Sequence, residues 1–278
     1  EKEVKRKKTV FSSIALTETL LYNEPFYSLS AHKGTIYGIR HYKVEKEDML
    51  ITYSEDCTIK LWSCDFLREI SSIDHEKPVR CANIISHDNF KYIIAGSFLK
   101  DYPVAIYTLT GSFVNEFKIT GYTYYVEGYC DDNKCLVFVS TYQPYSLLVF
   151  NFDNSELMYN IQTTTYVNSI IVTPFETLIL SYLDRSGEFR QYCLDSGKLL
   201  LTRKDFGSYH ITKLNERFYL LCGIGYGFSI FDINDLSIYT EYTDVHNGIV
   251  KGACRFQHHY YGDIIVTIGN DNKINILK

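Results

Sequence analysis

No apolar run in the 278-residue sequence approaches the roughly 18 uninterrupted residues that a membrane-spanning helix requires. No apolar signal core follows the N-terminal charges, and no Asn-x-Ser/Thr acceptor occurs anywhere, so the sequence reads as a soluble intracellular chain. A basic excess is also missing. Lys and Arg number 28 against 33 Asp and Glu, giving a net charge of -5, the wrong balance for a surface devoted to neutralising phosphates. None of the eight Cys forms a Cys-x-x-Cys pair, so the commonest zinc spacing is missing. Cys130 and Cys135 alone make a weak metal site and are expected to be ordinary strand-end thiols. Cys57, Cys81, Cys135, Cys193, Cys222 and Cys254 fall in or beside apolar runs and read as buried free thiols. The expectation is therefore no metal and no cofactor.

The chain is rich in β-forming aromatics, with 25 Tyr and 17 Phe against 2 Met and 1 Trp. At 46% hydrophobic and 22% charged residues it has the apolar surface for a sizeable core. That surface is periodic. Two alternating apolar positions close on a bulky residue at Trp62, Tyr107, Phe150, Tyr192, Phe231 and Leu277, a recurrence every 39 to 46 residues. An apolar run ending in small or turn residues precedes most copies, as in Met49 to Ser54 and Tyr92 to Ser97. After the first five copies comes a polar turn and another alternating run, such as Ser112 to Lys118. Period-two alternation between turn clusters predicts strands, four to a unit.

A second pattern overlies the first. His32, Ser54, Asp56 and Trp62 occur in order in the first unit, and His75 with Asp101, then His246 with Asp271, repeat its His and Asp. The His precedes the closing residue by 30 to 32 positions and the Asp precedes it by six, all three times. A carboxylate in a tight turn can fix one imidazole tautomer and satisfy amides that would otherwise lose water. Repetition in separate units favours a structural lock over a set of catalytic dyads.

This His, Ser/Thr, Asp, Trp frame resembles the WD repeat, across nearly all of residues 22 to 278. The match is degenerate in the middle, where Pro144, Ser186 and Gly225 stand at the Asp position, and Leu99 and Gly269 stand at the Ser/Thr position of the second and sixth copies. The resemblance implies an all-β fold, a β-propeller of four-stranded antiparallel blades. Six copies give six blades, with seven as the alternative because Val10 to Leu16 reads as an extra strand. The last copy stops at Lys278 after its third strand, so Leu21 to Ser30 is expected to pair there and close the ring. Residues 1–20 then form a basic extension ahead of a propeller at 21–278. Lys5, Arg6, Lys7 and Lys8 read as a solvated linker, with a nuclear import signal as the alternative.

The resemblance further implies a non-enzymatic scaffold or adaptor in an intracellular multiprotein assembly, cytoplasmic by first expectation and nuclear by second. Protein or peptide partners would meet the loop face around the central channel. Phe98, Tyr102, Tyr142, Tyr145, Arg185 and Tyr226 are the candidate binding residues, because aromatic and Arg side chains dominate hot spots. Lys100, Gln143 and Tyr182 accompany them in the loops, and Tyr122, Tyr124 and Tyr166 at the blade junctions. The rival readings are a phosphoinositide- or RNA-binding propeller and a propeller hydrolase. The Phe-Arg-Arg-Gly stretch of phosphoinositide readers is replaced by Phe189-Arg190-Gln191-Tyr192, and His258-His259-Tyr260-Tyr261 reads as a hairpin loop. No acids converge on Asp184 and Arg185, and no catalytic residue is assigned.

Overall fold

A computed structural model of the chain describes residues 31–44, 47–63, 68–174, 177–204, 210–214, 217–222, 226–233, 237–258, 262–269 and 274–277. Every regular element among them is a β-strand, and all strand pairs are antiparallel. The expected strands at Leu21 to Ser30 and Val10 to Leu16, the Lys5 to Lys8 cluster, Asp271, and residues 259–261 of the His258 to Tyr261 stretch lie outside the described residues.

The strands form five four-stranded sheets and one of three, each in sequence order. The first sheet holds β1 (Ile36–Val44), β2 (Glu47–Ser54), β3 (Thr58–Ser63) and β4 (Arg68–Asp74). The second holds β5 (Val79–His87), β6 (Phe90–Ser97), β7 (Val104–Thr108) and β8 (Phe113–Phe117). The third holds β9 (Tyr122–Cys130), β10 (Cys135–Tyr142), β11 (Ser146–Asn151) and β12 (Leu157–Gln162). The fourth consists of β13 (Val167–Pro174), β14 (Leu178–Asp184), β15 (Phe189–Cys193) and β16 (Lys198–Arg203). The fifth consists of β17 (His210–Lys213), β18 (Phe218–Cys222), β19 (Phe228–Asp232) and β20 (Ile238–Tyr242). The sixth has β21 (Val250–His258), β22 (Gly262–Gly269) and β23 (Ile274–Leu277), lacking a fourth strand among the described residues.

These sheets divide between two compact units, residues 31–168 and residues 169–278. Within the first unit, β5 lies against β1 and β2, and β9 against β5 and β6. The apolar faces so covered make two cores. One runs from Ile51, Ile59 and Leu61 to Ile84, Ile93 and Tyr107, and the other from Ile94, Ile106 and Phe117 to Val137, Val139 and Phe150. In the second unit, Leu183 and Phe189 pack with Tyr219 and Phe231, and Leu220, Cys222 and Phe228 with Val250 and Leu277.

Burial explains the two sequence textures. The second and third strands are covered on both faces, as in β10 and β11, and therefore read as continuous apolar runs. The fourth strands β4, β12 and β16 are mostly exposed and therefore alternate or turn polar. Five of the six closing residues have a further property. At Trp62, Tyr107, Phe150, Tyr192 and Phe231 the register with the fourth strand shifts by one, a β-bulge in all five four-stranded sheets. The extra residue is apolar and exposed every time: Ile70, Val114, Met158, Leu200 and Tyr239. A bulge on an edge strand bends it and disrupts the flat ladder that another chain would need for pairing.

Charged side chains join the first strands of the first unit. Arg40 on β1 donates to Glu127 on β9 at 3.2 Å, and Tyr125 donates to the same carboxylate at 3.0 Å. Asn83 on β5 also donates to Glu127. Burial opposes charge on Arg40, but Tyr125 and Glu127 outweigh it and raise its pKa.

Of the cysteines, Cys81, Cys193 and Cys222 are buried thiols outside any disulfide, as expected. Cys57 is only partly buried, because it occupies the β2–β3 turn with φ at 67°. Cys135 is not a free thiol: it is bonded to Cys130, its direct register partner across the β9–β10 hairpin. The Cys254 side chain and Cys64 are outside the described residues.

Candidate functional site

The His32 frame in the first sheet is a continuous hydrogen-bonded chain. The Trp62 indole N–H donates to the Thr52 hydroxyl at 2.8 Å, and that hydroxyl stands 2.8 Å from His32 Nε2. His32 Nδ1 lies 3.1 Å from both Asp56 carboxylate oxygens and 2.9 Å from Thr58 Oγ1. With Thr52 donating to Nε2, the proton belongs on Nδ1, directed at the carboxylate. Asp56 also accepts from the Lys33 amide, the Thr58 amide and the Thr58 hydroxyl. Burial opposes ionisation of Asp56, yet the bonds from Thr58, Lys33 and His32 hold its carboxyl well below the usual range. The hydroxyl between the two rings is therefore that of Thr52. Ser54, assigned that place by spacing, instead accepts the Asp56 amide at 3.1 Å and shapes the turn. Strand alternation puts residues 52 and 54 on the same face, which is why spacing alone did not separate them.

The second sheet repeats the residues without repeating the bonds. His75 is fully buried, and its Nδ1 meets the Tyr107 hydroxyl at 2.8 Å, while Nε2 has no protein partner. Burial pushes its imidazole pKa down to about 4. Asp101 does not reach it. Its carboxylate accepts the Gly121 amide at 2.7 Å and its own amide donates to the Gly121 carbonyl at 2.7 Å, tying the β6–β7 loop to the next junction. His246 in the second unit is buried, and its amide donates to the Tyr226 carbonyl at 2.9 Å. The amides of His75 and Thr163 make the same bond to Cys57 and Tyr145, so this backbone link recurs whether or not a His is present.

In the fourth sheet spacing pointed to Ser186, but Asp184 caps the turn. Its Oδ1 accepts from the Ser186 amide, the Ser186 hydroxyl and the Glu188 amide at 2.9, 2.6 and 3.0 Å. Spacing from the closing residue missed it by two positions. The polar composition of the Asp184 to Glu188 turn was the available signal.

Loop aromatics gather in the first unit. Phe98 stacks on Tyr122 with centroids 5.1 Å apart, and Tyr142 lies 5.8 Å from Tyr122 and 6.3 Å from Phe98. Tyr145 meets Tyr142 edge-on at 5.4 Å, and Tyr166 does so at 6.3 Å. Tyr124 lies against Tyr166 at 3.8 Å, and the Arg80 guanidinium stands over Tyr124 at 4.7 Å. The backbone brings these rings together by close approach at Gly121. Its φ is +92°, and a Cβ there would lie 2.6 Å from the Gln143 carbonyl oxygen, so only glycine lets the Tyr122 junction approach the Tyr142 turn.

Three of the six candidate binding residues, Phe98, Tyr142 and Tyr145, thus share one cluster, and Phe98 is 47% exposed. Tyr102 is directed elsewhere: its ring sits edge-on to His75 at 5.5 Å and its hydroxyl reaches Glu76. Arg185 and Tyr226 are exposed residues of the second unit. Tyr182 is buried and offers no surface.

The family model described as WD domain, G-beta repeat matches residues 23–63, which include the whole His32, Thr52, Asp56 and Trp62 chain. The chain contains a WD repeat. It is also 35% identical over 63 residues to transcription initiation factor TFIID subunit 5 of Encephalitozoon cuniculi. That match spans 22% of this chain and 11% of the relative. In WD-repeat terms, the first sheet carries a complete lock and the second a reduced one.

Proposed function

We propose that this WD-repeat chain is a scaffold that holds protein partners within a multiprotein assembly and performs no chemistry of its own. The observation that carries the reading is the ring cluster of Phe98, Tyr122, Tyr142 and Tyr145, drawn from two neighbouring sheets and partly open to solvent. Planar aromatic side chains bury large area at low entropic cost and still offer hydroxyls, the properties of an interface anchor. Similarity to a stretch of a transcription initiation factor subunit supports membership of an assembly. It favours the nucleus, lends the cytoplasmic expectation nothing, and gives Lys5, Arg6, Lys7 and Lys8 the role of an import signal.

In this reading the six sheets are blades of one β-propeller occupying residues 21–278, closed by pairing of residues 21–30 with the three-stranded sixth sheet. Removing residues 1–30 would then lower the melting temperature well beyond what loss of a free tail would do. Combined replacement of Phe98, Tyr142 and Tyr145 by Ala tests the surface. Proteins recovered with the wild-type chain by affinity capture and mass spectrometry should fall at least tenfold, with circular dichroism and melting unchanged. Equal recovery with the folded variant would defeat the assignment.

A further inference from the structure

Three metal-ligating side chains, one of them distant in sequence from the other two, meet where two neighbouring hairpins end. His87 closes β5 ahead of a tight turn in which Asp88 and Asn89 have φ of 48° and 63°, the left-handed pair that a two-residue hairpin favours. Cys130 and Cys135 face one another across the β9–β10 turn. One ligand atom from each of the three lies within 4.8 Å of the other two. Cys135 is fully buried, while Cys130 and His87 are half-buried at the edge of an open hollow of about 470 Å³ lined also by Asp88, Lys91 and Asp132. The two sulfurs are bonded in the structure.

We propose that Cys130 and Cys135, when reduced, join His87 in binding a zinc ion that clips the β9–β10 hairpin to the β5–β6 hairpin. Thiolate and imidazole are the preferred donors of structural zinc, and four residues between the cysteines is within the usual ligand spacing. Asp153 Oδ1 accepts from His87 Nε2 at 2.6 Å and orients the ring, and water supplies the fourth donor. Asp131 is committed elsewhere, since its carboxylate accepts the Asn133 and Lys134 amides and the Tyr129 hydroxyl, and so shapes the turn that presents the sulfurs. Opening the disulfide takes two electrons and two protons from a cellular dithiol, which becomes a disulfide in turn. Zinc then displaces the two thiol protons to solvent. The same two sulfurs thus serve a covalent hairpin bond or a metal clip between hairpins, according to redox state.

Sequence reading gave no metal here because His87 stands 43 residues before Cys130, and only strand register brings them together. The test uses the full chain purified in an excess of dithiol-free reductant with zinc added, then desalted. Elemental analysis should find about one zinc per chain, and none after oxidation. Cobalt in place of zinc should give the intense visible bands of a tetrahedral thiolate site. Cys130→Ser with Cys135→Ser should lose the metal while keeping the other thiols, and His87→Gln should weaken binding at least tenfold with the fold intact by circular dichroism. Zinc below a tenth of an equivalent in the reduced, folded protein overturns the proposal, as does full zinc content in the double Ser variant.

Discussion

The first and second sheets of the first unit carry the same His and Asp at nearly the same distances from the closing ring, and they use them differently. Trp62 pairs with Leu50, and Tyr107 with Ile93, so the strand registers align Thr52 with Ala95. The second sheet therefore has no hydroxyl where the first places the bridge between indole and imidazole. Its third-strand residue is a Tyr, whose own hydroxyl reaches His75 directly. Leu50 stands 12 residues before Trp62 but Ile93 stands 14 before Tyr107, and the longer connection swings Asp101 away to Gly121. A conserved spacing in one dimension thus supports two networks, because spacing counted from the third strand cannot see a loop lengthened before it.

The largest separation of the two sheets is expected at their aspartates. Asp56→Ala removes the acceptor for two amides, a hydroxyl and His32, and should cost about 3 kcal/mol in urea unfolding. Asp101→Ala removes one side-chain bond and should cost about 1 kcal/mol. Equal losses would show that the two turns are equivalent after all.

Next comes the bridging hydroxyl. Thr52→Val keeps the shape but strands the Trp62 N–H and His32 Nε2, for about 2 kcal/mol, against less than about 1 for Ser54→Ala. A larger loss at Ser54 would restore the assignment made from spacing.

The sheets should also respond to acid in different ranges. Above 6.5 His75 is neutral both folded and unfolded; between 6.5 and about 4 the unfolded chain takes up a proton that the buried ring refuses. Stability contributed by the second sheet should therefore fall across that window and level off below it. The depressed carboxyl of Asp56 acts lower: its contribution is intact above 3.8 and is lost as pH drops below that value toward its folded pKa. The difference in unfolding free energy between wild type and His75→Gln, measured against pH, should change only in the upper window. A small effect is expected for Tyr107→Phe, about 1 kcal/mol in urea unfolding through the single bond to His75.

Much of the fold was legible because burial leaves a periodic trace. The runs read from sequence at Tyr92 to Ser97 and Ser112 to Lys118 coincide within a few residues with β6 and β8. Five of the six closing residues also fell at one structural position, the bulge against the fourth strand, although nothing in the pattern announced a bulge. The candidate binding surface was legible only in part. Phe98, Tyr142 and Tyr145 meet, but Tyr102 and Tyr182, chosen on the same grounds, turn toward His75 and into the interior. Loop side chains take their direction from turn geometry such as Gly121, which composition does not encode.

The sequence by itself determined the five four-stranded sheets and the order of their strands, since strand pairing between adjacent segments needs only alternating apolar residues and turns. Tertiary structure alone decided which hydroxyl bridges His32 and Trp62, where Asp101 points, and that His87 meets Cys130 and Cys135. Those outcomes depend on register and loop length between segments, and a shift of one or two residues there redirects a side chain without altering the apolar pattern.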